Sequence, residues 1–204
     1  FLGFVVSIPP KSAAAELCYE ILPNARACGV VNAVRIDQDG RLIGESFDGL
    51  GMVKSIELQR ALNSDTQVLL VGAGGVGRSI AVAIALAGVG YLAIANRTLS
   101  KADELAHAVR RAAPDCVVQS YSSFDPEGFD IVVNATSLGL NGQGAMPVEV
   151  SRISKAALVA EVVMVPEITP MLHFAQEQGL AVVRGLEMLT QQIEILADFF
   201  GMAN

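Results

Sequence analysis

The sequence predicts an α/β protein built on a doubly wound parallel sheet, and three observations predict it. From residue 67 onward, short apolar runs alternate with longer segments patterned as helices. Polar residues and glycines fall at the carboxyl ends of those runs, where ligands sit in such sheets. The stretch GAGGVGRSIAVAIALAGVGYLAIANRTLSKA, 72–102, sets a G-x-G-x-x-G turn between a strand pattern and a helix pattern.

Composition narrows the field. A chain of 204 residues with 52% hydrophobic and 17% charged residues can bury a sizeable core and is far from a disordered composition. A net charge of −7 argues against binding a nucleic-acid backbone, which needs a basic face, but permits a local basic site for one small anion. Cys18, Cys28 and Cys116 show neither metal-ligand spacing nor an even-numbered framework. They read as buried thiols of a reducing, cytoplasmic compartment, and no metal site is expected. The start FLGFVVSIPPK is apolar but lacks the charged region and cleavage signature of a signal peptide, and without an initiator Met the natural protein is expected to begin before Phe1.

Between Arg78 and Arg97 lie 18 residues without a charge. A membrane span needs about 20 apolar residues in unbroken helical register, and Gly88-Val89-Gly90 interrupts this run. Residues 79–87, rich in Ala, read as a helix; residues 91–95, YLAIA, read as a buried strand that abuts Asn96-Arg97. No membrane association is expected.

Upstream, residues 67–71 (QVLLV) read as another buried strand leading into Gly72-Ala73-Gly74-Gly75-Val76-Gly77. Gly72 makes the tight turn in this reading, Gly74 admits a pyrophosphate close to the backbone, and Gly77 lets helix and strand approach. The helix start offers unpaired N–H groups and a positive dipole end. Strand, glycine turn and helix in this order predict the dinucleotide site of a Rossmann-type domain. The NAD version ends its second strand with a carboxylate for the ribose hydroxyls. Here that place holds Asn96-Arg97-Thr98, with Lys101 a helical turn on. Arg97 can grip a ribose phosphate bidentately and stack on adenine, and Lys101 adds charge, so NADP is favoured over NAD.

The remaining elements follow the alternation. A helix is expected over 99–113, a strand over 116–119, a polar loop over 120–128, and a strand over 130–134 ending in Ala135-Thr136-Ser137-Leu138-Gly139. Further strands are expected over 157–163 and 180–183, with a helix over 169–178 stopped by Gly179. Residues 185–200 read as one amphipathic helix with Met188, Leu189, Ile193, Leu196 and Phe199 or Phe200 inward. The first sixty residues lie outside this alternation. Residues 4–8 resemble a strand, Pro9-Pro10-Lys11 a helix entrance, and 30–36 and 41–43 flank the hairpin turn Asp37-Gln38-Asp39-Gly40. A helix over 49–63 leads onward. The organisation expected is a partial α/β substrate domain (1–62), a Rossmann domain (63–184), and a helix returning to the first domain (185–204).

Taken together the motifs resemble the shikimate and quinate dehydrogenase family nearly end to end. The segments are GFVVSIPPK (3–11), GVVNA (29–33), GESFDGLG (44–51), GAGG, NRT, NATSLG, VVMVPEITPML and GLEMLTQQ, in the family's order. The resemblance implies reversible reduction of a ring ketone, 3-dehydroshikimate, by NADPH. It implies Lys11 and Asp48 as the catalytic pair, the ammonium stabilising and protonating the developing alkoxide while Asp48 orients it and shares the proton. Asn32 and Gln192 would contact substrate hydroxyls, Ser7 would stand in for the family's threonine, and Val162 and Gly185 would line the nicotinamide pocket with Thr136 nearby. His107 and His173, on expected helix surfaces, receive no role.

Departures cluster in the substrate pocket. Ser46-Phe47 replace the family's Asn-Thr, Ala33 replaces a threonine, and Met164 a tyrosine. Each lost hydrogen bond to a polyhydroxylated ring should weaken binding by about 1 kcal/mol. The serines with which the family holds the substrate carboxylate would precede Phe1. A related cyclic hydroxy acid is therefore an alternative substrate, a non-catalytic nucleotide-binding or regulatory role an alternative function, and membership of a multidomain enzyme a third reading. Whether the chain forms a homodimer is left open.

Overall fold

The computed structural model describes residues 2–7 and 11–202. Ile8 of the expected first strand and the Pro9-Pro10 helix entrance lie outside the described residues.

The chain forms two sheets. The first unit runs β1 (Gly3–Val5), α1 (Lys11–Leu17), β2 (Glu20–Ile21), α2 (Pro23–Cys28), β3 (Ala33–Ile36), β4 (Leu42–Glu45) and α3 (Asp48–Glu57). Its four strands are ordered β1-β3-β4-β2, with β3 antiparallel to both β1 and β4 and β2 parallel to β4. The β3–β4 turn closes as the sequence predicts. The Asp37 carboxylate accepts the Asp39 and Arg41 N–H groups at 2.9 and 2.8 Å, and Gly40 takes φ +79°. Neither β2 nor α2 is anticipated by the sequence reading. β2 has only two residues, too few to show a period, whereas α2 carries ordinary signals, Pro23 in its first turn and Gly29 in left-handed conformation after its last.

The second unit runs β5 (Gln67–Val71), α4 (Gly75–Leu86), β6 (Tyr91–Ala95), α5 (Leu99–Ala112), β7 (Val117–Tyr121), β8 (Ile131–Asn134), β9 (Leu158–Glu161), α6 (Pro170–Glu177) and β10 (Ala181–Val183). Its six strands are all parallel in the order β10-β9-β8-β5-β6-β7, the doubly wound arrangement. Val68 and Leu70 join the core shared with α4 and α5, while Leu69 joins the core shared with α6. All three are fully buried, which is why this strand reads as a continuous apolar run rather than an alternation. The strand order reverses between β5 and β8, so the glycine turn after β5 opens at the switch point. Among the described residues no helix is long and apolar enough to cross a membrane.

Two expected helices change shape. The helix over 49–63 ends at Glu57. Beyond it the Arg60 guanidinium reaches the Asp130 carboxylate at 2.6 Å and the Ala156 carbonyl at 2.9 Å, and Asn63 starts a side-chain-bonded turn into β5. The helix over 185–200 divides into α7 (Gly185–Thr190) and α8 (Ile193–Phe199). At the join the Gln192 N–H bonds the Leu189 carbonyl, a tighter i to i−3 turn. That turn points Gln192 inward and leaves Leu189 and Ile193 40% and 59% exposed, so neither faces the core as the amphipathic pattern suggests. Met188 is buried, and Phe199 packs edge-on against Phe47 with ring centroids 5.2 Å apart. Cys28 and Cys116 are buried, whereas Cys18 is only partly so.

Helix α3 lies between α4 and α7. A Cβ at Gly49 would collide with the Ser79 carbonyl, and one at Gly51 with the Met188 carbonyl. These two glycines let the helix backbones touch and bring the start of α3 up to the glycine turn.

Candidate active site

Lys11 opens α1 and Asp48 opens α3; the Lys11 ammonium is paired with Asp48 Oδ2. Both side chains are nearly buried, 11% and 8% exposed. The second Asp48 oxygen accepts Asn32 Nδ2 at 2.9 Å. Asn32 Oδ1 in turn accepts the Phe47 N–H at 2.8 Å, and Asn32 Nδ2 also reaches Gln192 Oε1 at 3.2 Å. Gln192 Nε2 is tied back to the Met188 carbonyl at 3.3 Å. Lys11, Asn32, Asp48 and Gln192 thus form one connected group, although the last lies 160 residues from Asn32 in sequence. The Asn32 amide is engaged through both its nitrogen and its oxygen inside this group, so here it braces Asp48 and Phe47. Among the described residues no hydrogen bond joins Ser7, which is exposed, to the group.

The pair faces the glycine turn. A Cβ at Gly75 would lie 3.4 Å from Cβ and Cδ of Lys11, so the lysine stem runs across the start of α4. Gly72 takes φ +112° with Ala135 and Thr136 pressed against it, and a side chain at Gly77 would collide with the Gly72 carbonyl. At Gly74, nothing lies within 4 Å of where a Cβ would stand. No side chain caps α4, so the first N–H groups of that helix are left without a side-chain acceptor. The Asn96 side chain braces the turn, accepting the Ala73 N–H at 3.2 Å and donating to the Thr98 carbonyl at 2.8 Å.

Two clefts flank the turn. One, of about 480 Å³, is lined by Gly72, Asn96, Arg97, Thr136 and Leu138 at the carboxyl ends of the strands. The other is lined by Lys11, Gly74, Gly75, Val76, Arg78 and Lys101. Arg97 and Lys101, expected to serve one phosphate together, therefore border different clefts. Thr98 is exposed between them. Val162 and Gly185 do meet, since a Cβ at Gly185 would strike the Val162 and Val163 carbonyls. Thr136 donates to Asn134 Oδ1 at 2.7 Å and accepts the Leu138 N–H at 3.0 Å, which fixes the loop after β8.

Beneath these loops lies a residue the sequence reading passed over. Glu161, fully buried at the end of β9, accepts Asn134 Nδ2 at 3.0 Å, the Val162 and Val163 N–H groups at 2.9 and 3.1 Å, and Thr169 Oγ1 at 3.2 Å. A carboxylate inside an apolar strand pattern was the available signal. Burial pushes the Glu161 pKa up; the hydrogen bond from Asn134 and those from Val163, Thr169 and Val162 pull against it. With the folded pKa above the unfolded one, the native protein holds a proton that the unfolded chain has released. Stability should therefore fall as pH rises from the ordinary glutamate value through the raised one. Glu161→Gln, uncharged at every pH, should abolish that slope in denaturant midpoints taken across the range; an unchanged slope would assign it to another group.

The fold and this constellation meet in the comparisons with known proteins. Residues 56–163 match the family profile described as shikimate / quinate 5-dehydrogenase. The chain is 34% identical to a protein named shikimate dehydrogenase (NADP(+)) from Geobacter sp. (strain M21), over 95% of this chain and 69% of that one. The chain belongs to the shikimate/quinate dehydrogenase family. Among solved structures, the 5-ketofructose reductase of Gluconobacter sp. strain CHM43 is 35% identical with a TM-score of 0.88, covering 98% of this chain and 73% of that one. Shikimate 5-dehydrogenase from Thermus thermophilus, in complex with NADP(H) and shikimate, is 28% identical with a TM-score of 0.84, covering 98% and 73%. Against the family pattern, three of the four departures have turned into packing: Ser46 is buried against Ser79, Phe47 against Phe199, and Ala33 is fully buried. Met164 instead lies exposed beyond β9.

Proposed function

We propose that the chain is an NADP-dependent oxidoreductase that interconverts a cyclic ketone and its secondary alcohol, with 3-dehydroshikimate and shikimate, or a related cyclic keto acid, as the pair. The observation that carries this reading is the Lys11–Asp48 pair lying against the glycine turn. The residues present fit the cofactor: an open face at Gly74, uncapped N–H groups at α4 for the pyrophosphate, and Arg97 on the strand-end cleft for the ribose phosphate. NADPH, when bound, supplies the hydride. Reduction builds negative charge on the carbonyl oxygen, and the Lys11 ammonium stabilises that oxygen and delivers a proton to it. Asp48 holds the ammonium in place and shares its proton; Asn32 holds Asp48, Gln192 holds Asn32, and the two amides present their remaining hydrogen-bonding capacity to substrate hydroxyls. Persistence of the pair, together with relatives named as dehydrogenases, favours turnover over a non-catalytic binding role. The three free cysteines suit the cytoplasm as its compartment.

A second reading rests on the likeness to a 5-ketofructose reductase, which points to a sugar ketone in the same site. The experiment is a panel of shikimate, quinate and a 5-ketofructose with NADP(H) and NAD(H). NADP-dependent turnover of shikimate above the others supports the first reading. Turnover confined to the ketofructose supports the second, and cofactor binding without turnover of any of them sinks both.

A further inference from the structure

We infer that Ser79 is a positioning residue for Asp48, acting across the junction between the two units; the inference rests on the Lys11–Asp48 reading. Helix α3 begins without a cap of its own, because the residue before Asp48 is Phe47, whose side chain offers no acceptor. The N–H groups of a first helical turn need partners from elsewhere. Asn32 Oδ1 takes the Phe47 N–H at 2.8 Å, and Ser79 Oγ takes the Gly49 N–H at 2.9 Å. Asp48 stands between these two clamped amides. Asn32 belongs to the first unit, whereas Ser79 sits on α4, one turn past the glycine turn. The clamp therefore joins both sides of the cleft at the residue that orients the Lys11 ammonium.

Ser79 is built for this task. It is buried, its hydroxyl lies 2.9 Å from Ser46 Oγ, and the missing Cβ of Gly49 lets α3 press against its carbonyl. With the hydroxyl oxygen accepting from Gly49, its proton is free to go to Ser46. Any shift of α4 passes through this contact to the start of α3, so the spacing between the phosphate-binding turn and the amine–carboxylate pair is held at backbone level.

Ser79→Ala is expected to lower kcat about tenfold or more, because small displacements of a reacting group cost that much, while KM for the ring substrate and affinity for NADP stay near the parent values. Ser55→Ala removes a buried hydroxyl on α3 itself, which donates to the Gly51 carbonyl and takes no first-turn N–H, and should leave kcat unchanged. Should Ser79→Ala prove too unstable to assay, Ser79→Cys keeps the volume but offers Gly49 only a weak acceptor and carries the same expectation. In an Asp48→Asn background, Ser79→Ala should lower turnover no further, since its effect runs through Asp48. Parent-level kcat in Ser79→Ala, an equal loss in Ser55→Ala, or losses that multiply in the double variant would each overturn the assignment. Lys11→Ala assayed alongside keeps the two ideas apart. Retained turnover there sinks the Lys11–Asp48 reading, whereas loss there with normal Ser79→Ala sinks only the role of Ser79.

Discussion

Lys11→Ala should cut kcat by about 10²–10⁴, the range a positioned proton donor contributes, while calorimetric affinity for NADP stays near that of the parent. The split follows from where the lysine sits. Its stem crosses the start of α4, but its ammonium is paired with Asp48, and Lys11 does not line the strand-end cleft that Arg97 borders. The variant also leaves the Asp48 carboxylate buried without its cation, which is costly in its own right. A lowered melting midpoint is therefore expected. The double variant Lys11→Ala/Asp48→Asn should recover part of that midpoint and remain inactive, which separates damage to the fold from damage to the chemistry. Turnover within tenfold of the parent would refute the role of Lys11.

The second large effect concerns the cofactor. Arg97→Ala should weaken NADP binding about ten- to a hundredfold, the equivalent of about 1.5–3 kcal/mol for hydrogen bonds to a charged group. Affinity for NAD, which lacks the ribose phosphate, should change little. Arg97 is exposed on the cleft lined by Gly72, Asn96 and Thr136, where the second strand ends. Lys101 borders the other cleft with Lys11 and Arg78, so Lys101→Ala should have the smaller effect on the NADP-to-NAD ratio. Equal losses for both cofactors in Arg97→Ala would place the guanidinium on a part of the molecule they share.

How much of this was legible in the sequence depends on the range of the signal. Strands buried on both faces, such as Gln67–Val71 and Tyr91–Ala95, announce themselves as apolar runs, and Gly72 to Gly77 mark the turn between the first of them and its helix. The α/β class and the parallel sheet follow from local pattern. Lys11 and Asp48 were named through family resemblance, since neither a lysine at a helix start nor an aspartate before a glycine is distinctive alone. Their contact spans 37 residues and no local pattern encodes it. The break at Gln191–Gln192 is invisible in the sequence because the apolar spacing of 185–200 fits one helix well. What overrides it is tertiary, the demand of the Asn32 amide for a buried partner. Glu161 escapes local pattern for a different reason. Its strand announces itself by hydrophobicity, and the one residue that breaks the pattern holds the loops at its end.

The bridge from Asn32 to Gln192 has a bearing on how the molecule is made. A chain emerging amino end first can complete the parallel sheet before the last turns exist, yet the brace behind Asp48 must wait for them. Nucleotide affinity should accordingly mature ahead of turnover during synthesis. A product cut short just before Gln192 would be a holder of the coenzyme with its reaction centre left unfinished.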